Sequence, residues 1–167
     1  MSGSGRAPWW LDAVRGGIAG GLAVAAMDVV TTGLQASQSE ASAAAEKAVQ
    51  PNGKSSVANL VDRVADAAGV DPDNATREQA AQVVHYALGV VPGALYGIAR
   101  SRLPLVGAAS GLLYGAGLWA LNDEYANSAL GLAAPFDAYP IDTHVRGALG
   151  HFALGLVTDT GIDLLGG

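Results

Sequence analysis

Four stretches of the chain are almost free of charged side chains, and polar segments separate them. They cover residues 16–34, 79–99, 103–121 and 147–165. A helix needs about 20 apolar residues to cross the hydrocarbon core of a membrane, and each stretch comes close to that length. A helix of a soluble bundle would carry polar residues along one face, which these stretches do not. The pattern predicts an all-α membrane protein with four transmembrane helices in an up-down bundle.

Two longer polar connections, residues 35–78 and 122–146, carry most of the acidic side chains and are predicted to lie outside the cytoplasm. Within the first connection, residues 57–68 place apolar side chains at helical spacing with acids and an arginine between them. This spacing predicts a short amphipathic helix that lies on the bundle or on the membrane surface. The whole chain, residues 1–167, is predicted to form a single integral membrane domain.

One seven-residue sequence occurs twice, in the second and fourth predicted helices. HYALGVV begins at His85, and HFALGLV begins at His151; Gly89 and Gly155 follow one helical turn after the histidines. The first and third predicted helices share a looser glycine pattern. These matches predict a bundle that is built from two similar hairpins, as in proteins with parallel internal repeats.

Composition supports a membrane environment and excludes several functions. Half of the residues are apolar and only 14% are charged, against about a quarter in an ordinary soluble domain. The net charge of −6 argues against nucleic acid as a partner, because nucleic acids select basic surfaces. No hydrolase or phosphate-loop motif occurs, so the sequence identifies no catalytic residue and favours a non-enzymatic role.

Basic residues predict the orientation. Arg6, Arg15, Arg100 and Arg102 fall on one side of a four-span arrangement, whereas the long polar connections lie on the other side. Cytoplasmic flanks of membrane helices are enriched in Lys and Arg, so we expect both termini in the cytoplasm.

Ionisable side chains converge at the outer end of the four predicted helices. This polar cluster comprises Asp28, His85, Asp123, Glu124, His144, Arg146 and His151. An ionisable residue at membrane depth marks a functional site by default. A purely structural role stays open, in which each histidine forms a hydrogen bond worth about 0.5–2 kcal/mol that locks the bundle.

Three binding functions are compatible with this cluster. His85 and His151 stand on diagonal helices and are candidate axial ligands of b-type haem. Gly89 and Gly155 would then leave room for the porphyrin edge, although the same glycines also allow helices to close tightly. A metal site would use His85, His151, His144 and Asp28, a ligand set that suits zinc or another borderline cation.

A proton or ion pathway is the third possibility. His151, Asp159 and Asp163 form a row of titratable groups along the fourth predicted helix. Such rows can relay protons across a membrane. Four short helices enclose little volume, so this function requires an oligomer.

Several short motifs in the second half of the chain resemble those of a known family. They are His85-Tyr-x-x-Gly89, Asp123-Glu124, Tyr139-Pro140, His144-x-Arg146-Gly147 and Gly150-His151. This set is similar to the YagU-like group of small bacterial inner-membrane proteins. The resemblance implies a multi-pass protein of the bacterial inner (plasma) membrane and supplies no activity.

The glycine-rich faces of the first and third predicted helices suggest association with other helices. The sequence therefore predicts a small subunit or anchor of a larger membrane complex. Its expected partners are the lipid bilayer and other membrane-protein subunits, or further copies of itself.

Overall fold

The computed structural model describes residues 7–103 and 105–167, and within them the protein is all-helical without β-strands. Arg6, which contributed to the predicted orientation, lies outside the described residues. The elements in chain order are α1 (Trp9–Ala36), α2 (Glu40–Val49), α3 (Ser56–Ala68), α4 (Asn74–Arg102), α5 (Leu112–Leu118), a π-helical segment (Trp119–Ala126), α6 (Asn127–Ala129) and α7 (Ile141–Leu164).

Helix α1 lies between α4 and α7 and is antiparallel to both. Its contact with α4 is made by glycines: Gly16 packs on Gly93, and Gly20 packs on Gly89. A Cβ atom on any of the four would overlap backbone atoms of the opposite helix or side-chain atoms next to them. Small residues four apart therefore bring the two backbones into direct contact, a kind of packing that is common between membrane helices.

Helix α7 packs against α1 on one side and against α5 on the other. The backbones of Gly111 and Gly155 touch, and Gly115 packs on the carbonyl of His151. Each of the two repeated histidine sequences thus belongs to a helix whose glycine, one turn later, meets another glycine: Gly20 of α1 for Gly89, and Gly111 just before α5 for Gly155.

The third predicted helix begins later and ends later than the sequence indicated. Residues 105–111 form irregular turns, in which Ala109, Ser110 and Gly111 have left-handed backbone angles (φ 60°, 51° and 80°). Glycines at 107 and 111 lower the helical propensity of this stretch. Helical structure then continues to Ala129, so Asp123 and Glu124 lie on the π-helical segment and not in a loop.

The two polar connections fold over one end of the bundle, and we call them the cap (residues 37–73 and 127–140). Ser39 and Ser55 begin α2 and α3 by accepting a hydrogen bond from a backbone N–H three residues later. Helix α3 is amphipathic, as predicted, and buries Val61 and Ala65. Gly69 ends it with φ 67°, a left-handed conformation that glycine adopts without strain.

The interior of the bundle is small, and most apolar side chains face outward. The buried apolar residues of the bundle are few and mostly small, among them Ala19, Ala23 and Val24. By length and composition, α1 and α4 are long and apolar enough to cross a membrane. Helix α7 is long but carries His151, Asp159 and Asp163, and α5 is short, so the structure supports two of the four predicted spans on this measure.

Candidate ligand cavity and its histidine–carboxylate pairs

A cavity of about 560 Å³ lies between the helices at one end of the bundle, beneath the cap. We call this the histidine end; the C-terminal part of α1 and the N-terminal parts of α4 and α7 meet there. All three histidines of the chain, together with Asp123 and Glu124, line the cavity. Its volume is typical of small-molecule sites, which span about 300–1,000 Å³.

His85 pairs with an aspartate of the neighbouring helix α1. Its Nε2 lies 2.8 Å from Asp28 Oδ1. A carboxylate only accepts hydrogen bonds, so Nε2 is the donor, and in the neutral ring Nδ1 is the acceptor nitrogen. The pair is partly exposed, because 31% of the His85 side chain and 42% of the Asp28 side chain reach solvent.

His151 is the most buried of the three histidines, with 7% of its side chain exposed. Its Nδ1 donates a hydrogen bond to the carbonyl of Gly147 at 3.0 Å and lies 3.6 Å from Asp123 Oδ2. A carbonyl cannot donate, so Nδ1 carries a proton, and in the neutral ring Nε2 is the acceptor nitrogen. Within the described part of the chain, Nε2 has no hydrogen-bond partner.

Asp123 occupies the wall of the cavity, where 35% of its side chain is exposed. Asn122 donates a hydrogen bond of 2.8 Å to its Oδ1. The carboxylate of Glu124, adjacent in sequence, opposes a negative charge on Asp123, whereas the nearby His151 favours it. This position therefore favours either a protonated carboxyl or a nearby cation.

His144 pairs with Glu124 across a 2.8 Å contact that involves Nδ1, so its Nε2 also remains an acceptor. Two aromatic rings pack against the imidazole: Phe136 with a centroid distance of 4.4 Å and Tyr139 with one of 6.4 Å. Both rings come from the cap. They hold the imidazole at the top of the cavity.

Arg146, also predicted for the cluster, fastens the cap to α7 instead of facing the cavity. Its guanidinium donates to Glu46 Oε1 at 2.5 Å and to Gln38 Oε1 at 2.8 Å. Thr143 donates to the other oxygen of Glu46 at 3.0 Å. Burial opposes ionisation of Glu46, but these hydrogen bonds outweigh it and lower the pKa of Glu46.

A buried asparagine, which no sequence pattern had singled out, joins the two parts of the cap. Asn59 Nδ2 donates to the carbonyl oxygens of Leu132, Pro51 and Lys54 at 3.0–3.3 Å. Arg63 donates to the carbonyl of Leu130 close by. Polar contacts between residues far apart in the chain therefore join the two parts of the cap above the cavity.

Of the two glycines assigned to the porphyrin edge, Gly89 lines the cavity and Gly155 does not, and both lie at close range from another backbone. A Cβ on Gly89 would lie 2.8 Å from the carbonyl oxygen of Gly20 and would overlap Val24. A Cβ on Gly155 would lie 3.0 Å from the carbonyl carbon of Gly111. The tight-packing alternative describes both positions, because each glycine is needed for a close contact between helix backbones.

In the structure, Asp159 and Asp163 of the predicted proton row lie apart from His151. Asp159 accepts a hydrogen bond of 2.7 Å from the Tyr96 hydroxyl, and Arg100 Nε lies 2.7 Å from the same carboxylate. Arg100 also pairs with Asp163. Both aspartates are therefore bound to a permanent cation at the opposite end of the bundle, which we call the arginine end.

At the arginine end a second buried acid, not considered from the sequence, is paired in the same way. Asp12 accepts hydrogen bonds from Arg102 at 2.8 Å and from Ser101 at 2.7 Å. The contact joins the N-terminal part of α1 to the C-terminal part of α4. This end of the bundle is thus closed by ion pairs between helices.

The four side chains assigned to a metal site are divided among separate pairs. Within the described ranges, no three His, Cys, Asp or Glu side chains stand close enough together to hold a metal ion. Asp28 bonds to His85, whereas His144 bonds to Glu124. The arrangement resembles the carboxylate–histidine pairs that orient imidazoles behind a ligand, without the three convergent ligands of a zinc site.

Comparison with known proteins adds no further information on the site. The resemblance to the YagU-like group stays a prediction. No protein family, curated protein or solved structure matches this chain.

Proposed function

We propose that the protein spans the bacterial inner membrane with four helical segments and serves as a non-enzymatic subunit or anchor of a larger membrane complex. Helices α1 and α4 supply two spans. The segment from α5 into the π-helix and the helix α7 supply the other two. The cavity at the histidine end then lies near the outer face of the membrane, beneath the cap.

One observation carries the membrane assignment. The most apolar 18-residue windows of α1 and α4 are only 28% and 22% buried inside the protein. Soluble core helices bury such surface, because exposing it to water costs roughly 25 cal/mol per Å². The exposed side chains include Leu22, Val29 and Leu95, and those of Leu113 and Leu156 extend the apolar surface to α5 and α7. Hydrocarbon satisfies all of them without a further protein partner.

Labelling of single cysteines tests the spans directly, because the natural chain contains no cysteine. In membranes, Leu22→Cys, Leu95→Cys, Leu113→Cys and Leu156→Cys should resist a water-soluble maleimide, whereas Lys47→Cys in the cap should react. Reaction at all five positions would exclude a membrane protein. Reaction at 113 and 156 in addition to 47, with 22 and 95 protected, would leave α1 and α4 as the two spans.

The arginines support the proposed orientation. Arg15, Arg100 and Arg102 gather at the arginine end, where Arg15 and Arg102 both approach Asp12. The positive-inside rule then places this end, and both termini, in the cytoplasm. With an impermeant maleimide, Lys47→Cys should react in cells whose outer membrane is permeabilised. A cysteine at Gly167 should react only after the inner membrane is opened.

The subunit role is tested by the native mass of the detergent-extracted protein. Partner subunits or additional copies should co-purify, because the outward apolar surface offers a large area for helix association. A strictly monomeric species without co-purifying chains would favour a self-contained binding protein instead.

Haem binding is a second candidate, since His85 and His151 line one cavity and each keeps one acceptor nitrogen. Ligation would use Nε2 of His151 and either Nδ1 of His85 or, after separation from Asp28, its Nε2. Protein purified from native membranes should then show a Soret band that His151→Ala removes and His144→Gln retains. A colourless protein excludes this candidate.

A further inference from the structure

We propose that the cavity at the histidine end binds an organic ammonium ion with an apolar body. This inference concerns the ligand class and does not depend on the number of membrane spans or on a partner subunit. It rests on three features of the cavity: the hydrogen-bonding character of its polar wall, its uncompensated negative charge and its apolar remainder.

The ionisable side chains near the histidine end place acceptor atoms on the polar wall. Each of the three histidines has one ring nitrogen paired with an acid or a carbonyl, so that in the neutral ring the other nitrogen is an acceptor. The most informative is His151, because its side chain is more than nine-tenths buried and lines the cavity, yet its Nε2 has no described partner. Asp123 and Glu124 add carboxylate oxygens. A ligand that satisfies this wall must donate hydrogen bonds.

The charge of the wall also calls for a cation. The buried acids of the described residues, Asp12, Glu46 and Asp159, are each paired with an arginine. By contrast, Asp123 and Glu124 are adjacent in sequence and have only histidines as basic partners among the described residues. Two neighbouring carboxylates without a permanent countercharge are costly to ionise away from bulk water. A bound ammonium group removes that cost.

The apolar and aromatic part of the cavity lining indicates what the body of the ligand should be. Val24, Met27, Leu88, Leu118 and Leu154 line the lower part of the cavity. An aromatic set of Trp119, Phe136 and Tyr139 lines it near the acids, and aromatic faces attract cations. An amine with an aliphatic or aromatic body therefore fits both the charge and the apolar surface.

Other ligand classes fit less well. An anion would meet carboxylates, and Lys54, the only Lys or Arg that lines the cavity among the described residues, already pairs with Asp62. A bare metal ion lacks three convergent ligands. A neutral apolar molecule would leave the acceptor nitrogens and carboxylates unsatisfied, which costs about 1–3 kcal/mol per group.

The test uses three probes of similar shape: 2-phenylethylammonium, 2-phenylethanol and phenylacetate. Isothermal titration calorimetry of the full-length protein in lipid nanodiscs should give saturable binding of the ammonium at pH 7.5. The alcohol should bind at least 10-fold more weakly, and phenylacetate should not bind. Equal affinity for the ammonium and the alcohol, preference for the carboxylate, or no saturable binding of the ammonium would overturn the proposal.

Matched variants locate the site. Asp123→Asn removes one carboxylate from the cavity and should weaken ammonium binding at least 10-fold while the alcohol is unaffected. Glu40→Gln removes one exposed carboxylate from the surface of α2 and should bind as the natural protein does. Equal loss in both variants would indicate a non-specific charge effect and contradict the assigned site. The probe series on the unaltered protein gives its result even if Asp123→Asn fails to fold.

The outcome is independent of the membrane proposal. The labelling experiment can place every span in the bilayer while the ammonium fails to bind. Equally, the ammonium can bind while the labelling experiment rejects one or more spans. A Soret band in the purified protein would show that haem occupies the same histidines and would also overturn the ammonium site.

Discussion

The glycine contact between α1 and α4 makes a sharp prediction, because adjacent glycines of α1 differ in what an added methyl group would meet. At Gly16 a Cβ would lie 2.9 Å from the carbonyl carbon of Gly93 and 3.1 Å from Gly97 Cα, and would overlap the Gly93 oxygen. At Gly17 the nearest atoms lie at 3.6–3.7 Å, which is ordinary contact. Only the first substitution forces the backbones apart.

The magnitude follows from that overlap. Restoring ordinary contact between that Cβ and the Gly93 carbonyl requires α1 and α4 to separate by about 1 Å, and a gap of 0.5–1 Å loses roughly a quarter to a half of each dispersion contact across it. Overpacking of this kind costs about 1–3 kcal/mol. Alanine also favours the helix over glycine by up to about 1 kcal/mol. We therefore expect Gly16→Ala to lower the free energy of unfolding by about 1–3 kcal/mol relative to Gly17→Ala, which shares the propensity gain.

Reversible unfolding in mixed detergent micelles, followed by circular dichroism, measures the difference. Gly20→Ala should behave like Gly16→Ala, because its Cβ would lie 3.1 Å from the carbonyl carbon of Gly89. The double variant should cost less than the sum, since one separation of the helices relieves both overlaps. Equal stability of Gly16→Ala and Gly17→Ala would refute the described α1–α4 contact.

Three further predictions concern the ion pairs and the cap. Arg100→Gln should destabilise the protein by about 3–5 kcal/mol, because it leaves the Asp159 carboxylate buried and without its cation; adding Asp159→Asn should recover part of this loss in the same unfolding assay. Asn59→Ala should lower the free energy of unfolding by about 1–3 kcal/mol and speed hydrogen exchange of the cap amides, while the amides of α1 stay protected. Equal acceleration in the cap and in α1 would contradict a cap that opens separately. The pKa of Glu46 is lowered in the folded protein, so its ionised form stabilises the fold above the ordinary carboxylate pKa of about 4. This stabilisation is lost as the pH falls through the lower folded pKa. Acid should therefore loosen the cap in the natural protein and much less in Glu46→Gln.

Periodicity and charge predicted the helical class, the long first, second and fourth helices and the amphipathic helix in the first connection. Those features depend on local patterns of apolar residues, which persist along each element. The sequence did not predict α2, although Ser39 before a run of Ala, Glu and Lys is a recognisable N-cap signal. It placed the third helix too early because an apolar stretch without charges does not distinguish a helix from turns made by Gly107 and Gly111.

The partners of the polar cluster depended on distant contacts that a sequence alone does not contain. Glu46 meets Arg146 100 residues later in the chain, and Tyr96 meets Asp159 63 residues later. The sequence grouped Asp28 and His85 in one cluster because both lie toward the same end of antiparallel helices, and the structure pairs them. The sequence indicated Gly155 as a possible cofactor contact, because a missing side chain can leave either a cavity or a close contact between helices. Which of the two occurs depends on the residues of the neighbouring segment.

The two ends of the bundle use different bases, and this difference bears on where function resides. At the arginine end, Arg100 and Arg102 hold buried acids with a charge that does not titrate, so that end is suited to fix the helices in place. At the histidine end, Arg146 pairs with Glu46 of the cap, but imidazoles pair with Asp28, Asp123 and Glu124, and histidine is the side chain that changes charge between about pH 5 and 8. Stability alone would favour arginine at both ends. A polar wall that can exchange a proton or accept a ligand cation is of use only where something enters and leaves, and the cavity lies at that same end.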